Sequence, residues 1–81
     1  MPMAFVLINT ELGKENTVID SLKKISGVLD VSMLYGAYDL IVKVEETTMP
    51  SLKELVHSKI RKLEDVNTSL TMIVIEGSDV I

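Results

Sequence analysis

The sequence predicts a single α+β domain whose elements follow the order βαββαβ. Short runs rich in β-branched residues, which favour strands, alternate with two segments whose apolar residues recur at helical spacing. A Gly-x-Tyr-Asp segment at residues 36–39 separates two of the strand-like runs, as the connection of a hairpin does. The length of 81 residues suits one domain, so we expect residues 1–81 to form a single unit.

The first two elements are a strand and a helix. Residues 4–10 form an apolar, strand-like run, and Gly13 ends it. We expect Asn16 or Thr17 to cap the helix that follows and Gly27 to end it. The apolar face of this helix comprises Val18, Ile19, Leu22 and Ile25.

A hairpin over residues 28–45 comes next. Its strands are the runs 28–34 and 40–44, and Gly36 is expected to supply the backbone freedom that the reversal needs. A glycine closely followed by an aspartate is also common in turns that have no function. The segment alone therefore does not establish a binding site.

The last two elements are a helix and a strand. Pro50 suits the first turn of a helix, and Ser51 with Glu54 matches a capping box. Residues 65–75 supply the last strand, and residues 77–81 form a short tail. The apolar face of the second helix comprises Leu52, Leu55, Val56, Ile60 and Leu63.

The order of elements predicts the shape of the sheet. Right-handed crossovers place both helices on one face of a four-stranded antiparallel sheet, which is the ferredoxin-like arrangement. The other face of the sheet should be polar in a monomer, but the first and last strands are apolar on both sides. We therefore expect two such sheets to pack face to face in a homodimer, giving a dimeric α/β sandwich. On the first strand, Phe5 and Leu7 face one side of the sheet and Val6 and Ile8 face the other. On the last strand, Leu70, Met72 and Val74 face one side and Ile73 and Ile75 face the other.

Composition excludes several classes of function. The chain has no cysteine, which excludes disulfides, thiol nucleophiles and cysteine-bound metals and favours a cytoplasmic location. Its formal net charge of −4 argues against direct contact with nucleic acid. The apolar start is too short for a signal peptide or a membrane span, so we expect no membrane association.

The sequence has no pattern typical of catalysis. His57 is its only histidine, and no cleft or orienting partner can be assigned to it, so a solvated position is the simpler interpretation. Glu45 and Glu46 are adjacent at a strand end and point apart, which does not suit a shared proton. No phosphate-binding loop, dinucleotide fingerprint, zinc-protease motif or nucleophile elbow is present. We expect no enzymatic activity, no cofactor and no metal site.

Three segments together resemble a known family. They are Ile25-Ser26-Gly27-Val28, the run from Gly36 to Val42, and the run from Asp65 to Val74. With the order of elements, they resemble the effector-binding domain of Lrp/AsnC (feast/famine) transcription regulators, called RAM for regulation of amino acid metabolism. In full-length members a DNA-binding helix-turn-helix precedes this domain, and the sequence leaves no room for one before Phe5. The resemblance therefore implies a stand-alone form of the domain.

The family's assembly is also implied by the resemblance. RAM domains pair through their sheets, and the dimers assemble further, commonly into rings of four dimers, or octamers. Small effectors such as amino acids bind where dimers meet. Full-length Lrp/AsnC-type regulators are partners of such a domain.

The resemblance implies a set of ligand-binding residues. The turn that lines the effector cleft matches Gly36, Ala37, Tyr38 and Asp39, and the last-strand segment that can face it contains Thr68, Ser69 and Thr71. An amino acid needs acceptors for its ammonium group, such as the Asp39 carboxylate, and donors for its carboxylate, such as backbone N–H groups in the turn or the hydroxyls. Tyr38 would form a wall of the side-chain pocket.

This chain departs from the family's pattern just before the last strand. The family often has Gly-Val there and a basic residue near the positions of Thr68 and Ser69. This chain has Asp65-Val66 and no basic residue from position 63 onward. An acidic effector is therefore disfavoured, because nothing nearby would offset its extra negative charge.

Two functions from different classes remain open. The first is a sensor whose assembly responds to an amino acid and which modulates transcription through full-length relatives. The second is a ligand-free assembly subunit that co-oligomerises with those regulators, in which residues 36–39 serve only as turn and interface. The identity of the effector does not follow from the sequence.

Overall fold

The computed structural model of the chain describes residues 1–75. The predicted order βαββαβ and the ferredoxin-like fold are confirmed, and the predicted tail at residues 77–81 lies outside the described residues. A π-helical segment continues the second helix without a break. The elements are β1 (Met3–Thr10), α1 (Glu15–Lys23), β2 (Val28–Met33), β3 (Leu40–Glu45), α2 (Met49–Glu54), the π-helical segment (Leu55–Ile60) and β4 (Val66–Ile73).

The four strands form one antiparallel sheet in the order β2-β3-β1-β4. β1 lies in the interior of the sheet, so that Leu7 has Ile41 of β3 on one side and Leu70 of β4 on the other. Each half of the chain supplies one central and one edge strand. The two edges of the sheet are β2 and β4.

The core lies between the sheet and the helices. Alternate residues of β1 and β3 are buried on the helix side, as a period of two requires. α1 contributes Val18 and Leu22, and the second helix contributes Leu52, Leu55, Val56 and Ile60. The buried strand residues are Ala4, Val6, Ile8, Thr10, Leu40, Val42 and Val44.

The starts of both helices differ from prediction. α1 begins at Glu15 with Lys14 at the N-cap position and no side-chain cap, so the prediction of Asn16 or Thr17 as N-cap was wrong. α2 is capped by Thr48, whose Oγ1 accepts a hydrogen bond from the Ser51 N–H at 3.2 Å. Ser51 is thus inside the helix, and the predicted capping box starting at Ser51 was wrong.

The second helix widens after its first turns. The Arg61 N–H donates to the Val56 carbonyl at 2.9 Å, a bond between residues five apart. Such π-helical turns are rare and occur frequently at functional sites. The sequence pattern predicted one regular helix here and gave no sign of this turn.

Candidate functional site

The segment between β2 and β3 is a six-residue loop at positions 34–39 rather than a tight hairpin turn. Its base is closed by a hydrogen bond from the Leu34 N–H to the Asp39 carbonyl at 2.8 Å. A second bond runs from the Asp39 N–H to the Ile8 carbonyl at 2.9 Å. The loop is therefore fixed to itself and to β1, in the interior of the sheet.

The Asp39 side chain fixes the loop a third time. Its Oδ2 accepts hydrogen bonds from the Thr10 N–H at 2.9 Å and from the Thr10 hydroxyl at 3.3 Å. Thr10 is only 7% exposed, so Asp39 satisfies two polar groups that would otherwise be buried without partners. Oδ1 of Asp39 accepts no hydrogen bond within residues 1–75. Oδ2 thus fixes the loop to β1, whereas Oδ1 is available to accept a hydrogen bond from a ligand.

The tip of the loop presents unused backbone donors. Gly36 and Ala37 are exposed, and within the described chain their N–H groups donate no hydrogen bond. Tyr38 beside them is half-buried. The loop therefore combines exposed N–H groups with a carboxylate oxygen on a well-anchored base, a combination that suits both ends of an amino acid.

The conformation of Gly36 corrects one prediction. Its φ is not in the positive range, and a Cβ added there would meet nothing within 4 Å. The expectation that Gly36 supplies freedom for the chain reversal was wrong, because a six-residue loop reverses the chain without a tight turn of the left-handed type. The described glycines with positive φ are Gly13, at 80°, and Gly27, at 101°.

The predicted residues of β4 lie apart from the loop. Thr68 is on the helix-free face, where its Oγ1 accepts a hydrogen bond from the Asn9 side chain at 3.2 Å. Ser69 and Thr71 point to the helix side, since they pair with buried positions of β1. β1 separates β4 from Asp39, which puts their backbones about 10 Å apart at the usual strand spacing. One chain brings residues 36–39 together but does not bring them to Thr68, Ser69 and Thr71.

Sequence reasoning missed Thr10. Its signal was the alternation of β1, in which a threonine occupies the buried side after Ala4, Val6 and Ile8. A buried hydroxyl needs a hydrogen-bond partner, and an aspartate in a neighbouring loop is a suitable one.

The helix-free face of the sheet is apolar across β1 and β4. Phe5 pairs with Met72 and Leu7 with Leu70, and the two β4 side chains are each 46% exposed. Ile41 continues the apolar surface onto β3. The prediction that one apolar set does not meet the helices is confirmed for the described residues.

The described residues offer no metal site and no membrane span. Among residues 1–75, no three histidine, aspartate or glutamate side chains are grouped so that they could hold a metal ion. No helix in that part of the chain is long and apolar enough to cross a membrane.

Comparison with known proteins shows the family. The family model described as the Lrp/AsnC ligand binding domain matches residues 3–78, which is nearly the whole chain. This chain belongs to that family. The resemblance drawn from the sequence is confirmed, and so is the prediction that the chain is not an enzyme, because this family consists of ligand-binding domains of transcription regulators.

Curated relatives of this Lrp/AsnC domain are longer proteins. An uncharacterized HTH-type transcriptional regulator of Pyrococcus abyssi is 29% identical over 73 residues, which cover 86% of this chain and 49% of the regulator. A regulator of Pyrococcus furiosus described in the same words matches to the same extent. The chain thus spans about half the length of the curated relatives it matches.

Solved structures share the fold of this Lrp/AsnC domain. A hypothetical protein from Pyrococcus horikoshii matches with a TM-score of 0.87 and 41% identity, over 93% of this chain and 90% of that one. A transcriptional regulator from Neisseria meningitidis in complex with L-Met matches with a TM-score of 0.83, over 95% of this chain and 51% of that one. The sequence identity to the Neisseria protein is 19%, so that likeness establishes the fold alone.

Proposed function

We propose that this Lrp/AsnC domain binds a free amino acid at the loop of residues 34–39 and that the bound effector controls how its dimers assemble, which in turn modulates Lrp/AsnC-type regulators. The observation that carries the proposal is the loop itself. Its base is fixed to β1 by three hydrogen bonds, while the Gly36 and Ala37 N–H groups and Oδ1 of Asp39 have no partner within residues 1–75. Pre-organised, unpaired donors and an acceptor are the groups that a ligand with a carboxylate and an ammonium group requires.

A second copy of the chain is needed to complete such a site. The loop is exposed at its tip and forms only one wall, with Tyr38 beside it. Within one chain the hydroxyls of β4 are about two strand spacings away from Asp39, roughly 10 Å. We infer that Thr68, Ser69 or Thr71 would contribute from a neighbouring copy, which supports a site at the contact between dimers.

The dimer itself would form through the helix-free face. Large apolar side chains such as Leu70 and Met72 stay 46% exposed there, and an apolar surface of this kind favours an interface. Leu70→Glu should convert the protein to a monomer in light scattering, because it would bury a carboxylate among apolar side chains. Leu12→Glu is the matched control, since Leu12 is 92% exposed in the turn before α1 and lies off this face. A dimer that persists in Leu70→Glu would contradict this arrangement.

The ligand is tested by thermal unfolding in the presence of each of the twenty amino acids at millimolar concentration. A ligand of the native state at about 100 times its Kd adds about 2.7 kcal/mol of stability. For a domain of this size that corresponds to a rise in Tm of roughly 10–20 °C. We expect a selective rise for one or a few amino acids.

Asp39→Asn tests the assigned residue. The amide oxygen can still accept the Thr10 hydrogen bonds, whereas the negative charge that faces the ammonium group is lost. We expect the ligand-dependent rise in Tm to disappear while the dimer persists. Asp20→Asn is the matched control, because it also removes one negative charge but at an exposed position on α1. It should leave the ligand-dependent rise in Tm unchanged. An unchanged rise in Asp39→Asn would rule out Asp39 as a ligand contact.

An effect on assembly requires more than binding. The effector must bind one assembly state more tightly than another, since equal affinity for both states would leave the equilibrium between them unchanged. Light scattering with and without the effector should therefore show a change in mass above the dimer.

The second candidate is a ligand-free assembly subunit. It is favoured by the fact that Asp39 already serves Thr10 and that the hydroxyls of β4 do not face the loop within one chain. No rise in Tm with any of the amino acids, together with co-purification with a DNA-binding relative, would favour this function over the sensor.

A further inference from the structure

A groove on the helix side of the sheet forms a candidate site separate from the loop of residues 34–39. It lies between the second helix and the edge strand β4 and has a volume of about 170 Å³. Its apolar lining comes from Leu52, Val56 and Ile73, of which Ile73 remains 40% exposed. The rest of its lining is Lys53, His57, Arg61 and the hydroxyl-bearing Thr71.

The ionisable side chains that line the groove are all basic. Lys53, His57 and Arg61 are exposed, and within residues 1–75 no carboxylate pairs with any of them. The groove has no aspartate or glutamate in its lining. Residues 53–62 contain four lysines or arginines and one glutamate in a chain whose formal net charge is −4. The groove is therefore a local positive region on an acidic protein.

The π-helical segment contributes to this arrangement. Lys53, His57 and Arg61 are spaced four residues apart, and in a regular α-helix each such step rotates the side chain about 40° around the axis. The wider turn closed by the bond from the Arg61 N–H to the Val56 carbonyl reduces the rotation per residue and so limits that drift. Lys53, His57 and Arg61 border the same groove.

We propose that this groove binds a small carboxylic acid that has a short apolar tail and no α-ammonium group. The carboxylate would lie among Lys53, His57 and Arg61, and the tail would lie on Leu52, Val56 and Ile73. A free amino acid does not fit this chemistry, because its ammonium group would meet the Lys53 and Arg61 cations and no carboxylate acceptor. The volume is below the several hundred Å³ of sites for drug-sized ligands, which favours a small acid over a nucleotide.

This site is distinct from the loop that carries the proposed amino acid site. Its lining residues lie on the second helix and β4, and none belongs to the loop of residues 34–39. Thr71 is the one lining residue that the proposed amino acid site would also use. Asp39→Asn should therefore affect only the amino acid site, and Arg61→Gln should affect only the groove.

The test is an NMR titration of the ¹⁵N-labelled protein with sodium acetate, butyrate and hexanoate at constant ionic strength. We expect backbone shifts at positions 52–61 and 71–73 and a Kd that falls about fourfold for each added methylene until the groove is filled. A matched pair of ligands tests the ammonium group, since 4-methylpentanoate is leucine without its amino group. 4-Methylpentanoate should shift these residues, and L-leucine should not.

Two variants of equal charge test the basic side. Arg61→Gln should weaken hexanoate binding about tenfold, as expected for loss of a charge-assisted hydrogen bond. Lys62→Gln, one residue away and outside the lining, should change the Kd by less than twofold. Ile73→Ser should remove the dependence on tail length while acetate still binds.

Three results would overturn the proposal. Equal weakening by Arg61→Gln and Lys62→Gln would show general attraction of anions to a basic surface. A Kd that does not depend on tail length would show that only an adventitious ion binds. Shifts confined to residues 34–39 would place the carboxylate at the loop instead of the groove.

Discussion

The hydrogen bonds between Asp39 and Thr10 predict a graded loss of stability in three variants. Asp39→Ala removes the acceptor for both the N–H and the hydroxyl of Thr10, while Asp39→Asn keeps a neutral acceptor. Thr10→Val removes only the hydroxyl and fills the same space with a methyl group. The three variants therefore separate the backbone bond from the hydroxyl bond.

The distances set the expected magnitudes. The bond from the Thr10 N–H is 2.9 Å long and the hydroxyl bond is 3.3 Å, so the first should dominate. Leaving a buried polar group without a partner costs about 1–3 kcal/mol, and we take the lower end for each group because Asp39 is only half-buried. Asp39→Ala should then lower the free energy of unfolding by about 2 kcal/mol, Asp39→Asn by about 1, and Thr10→Val by at most about 0.5.

Denaturant unfolding at one fixed protein concentration measures these differences, since the stability of an oligomer depends on concentration. Asp20→Ala, at an exposed position on α1, should stay within about 0.5 kcal/mol of the parent chain. An Asp39→Ala variant as stable as Asp20→Ala would refute the idea that Asp39 holds the loop to β1. Thr10→Val as damaging as Asp39→Ala would show that the hydroxyl bond dominates.

Three further substitutions test the local geometry by denaturant unfolding. Gly27→Ala should lower the free energy of unfolding by more than about 2 kcal/mol, because φ is 101° and the added Cβ would lie 3.2 Å from a backbone carbonyl oxygen. Gly13→Ala, at φ 80° with open space around it, should lower it by only about 1 kcal/mol. Equal losses in the two variants would contradict the close approach at Gly27. Asp65→Gly should stabilise the protein by roughly 0.5 kcal/mol, because Asp65 has a φ of 73°, and a loss of stability would show that the aspartate side chain compensates for that strain. Thr48→Ala should cost about 1 kcal/mol through the lost N-cap, and the same substitution at Thr47 should be neutral if the cap is responsible.

The fold could be predicted from the sequence because burial imposes a periodic pattern. β1 alternates strictly between buried and half-buried residues, and the helices repeat their apolar residues at helical spacing. The helix caps could not be predicted in the same way, because several hydroxyl and amide side chains near each start are chemically suitable. Which of these side chains accepts the N-cap hydrogen bond depends on where the preceding strand ends relative to the helix. The N-cap is Thr48 and not Ser51 for this reason.

The candidate site was predictable only in part. The sequence predicted residues 36–39 as part of a binding site, and the structure places them in one anchored loop. It did not predict the role of Thr10, because the bond between Asp39 and Thr10 joins residues 29 positions apart. The position of Asp65, where the family often has glycine, has a left-handed φ of 73°, which explains why glycine is suitable there.

The two proposed sites occupy the parts of the sheet that folding and pairing leave free. The helix side of β1 and β3 is used by the core, and the apolar helix-free face of β1 and β4 is the surface proposed for the dimer. Two places remain for ligands. They are the loop of residues 34–39 at one end of the sheet and the groove at the outer edge strand β4. Because the loop is fixed to β1 at its base, a ligand bound there would alter contacts between copies more readily than it would alter the fold. We therefore expect the effector to change assembly with a coupling of about 1–3 kcal/mol, or roughly 5- to 150-fold in affinity, while amide exchange in the core strands stays unchanged.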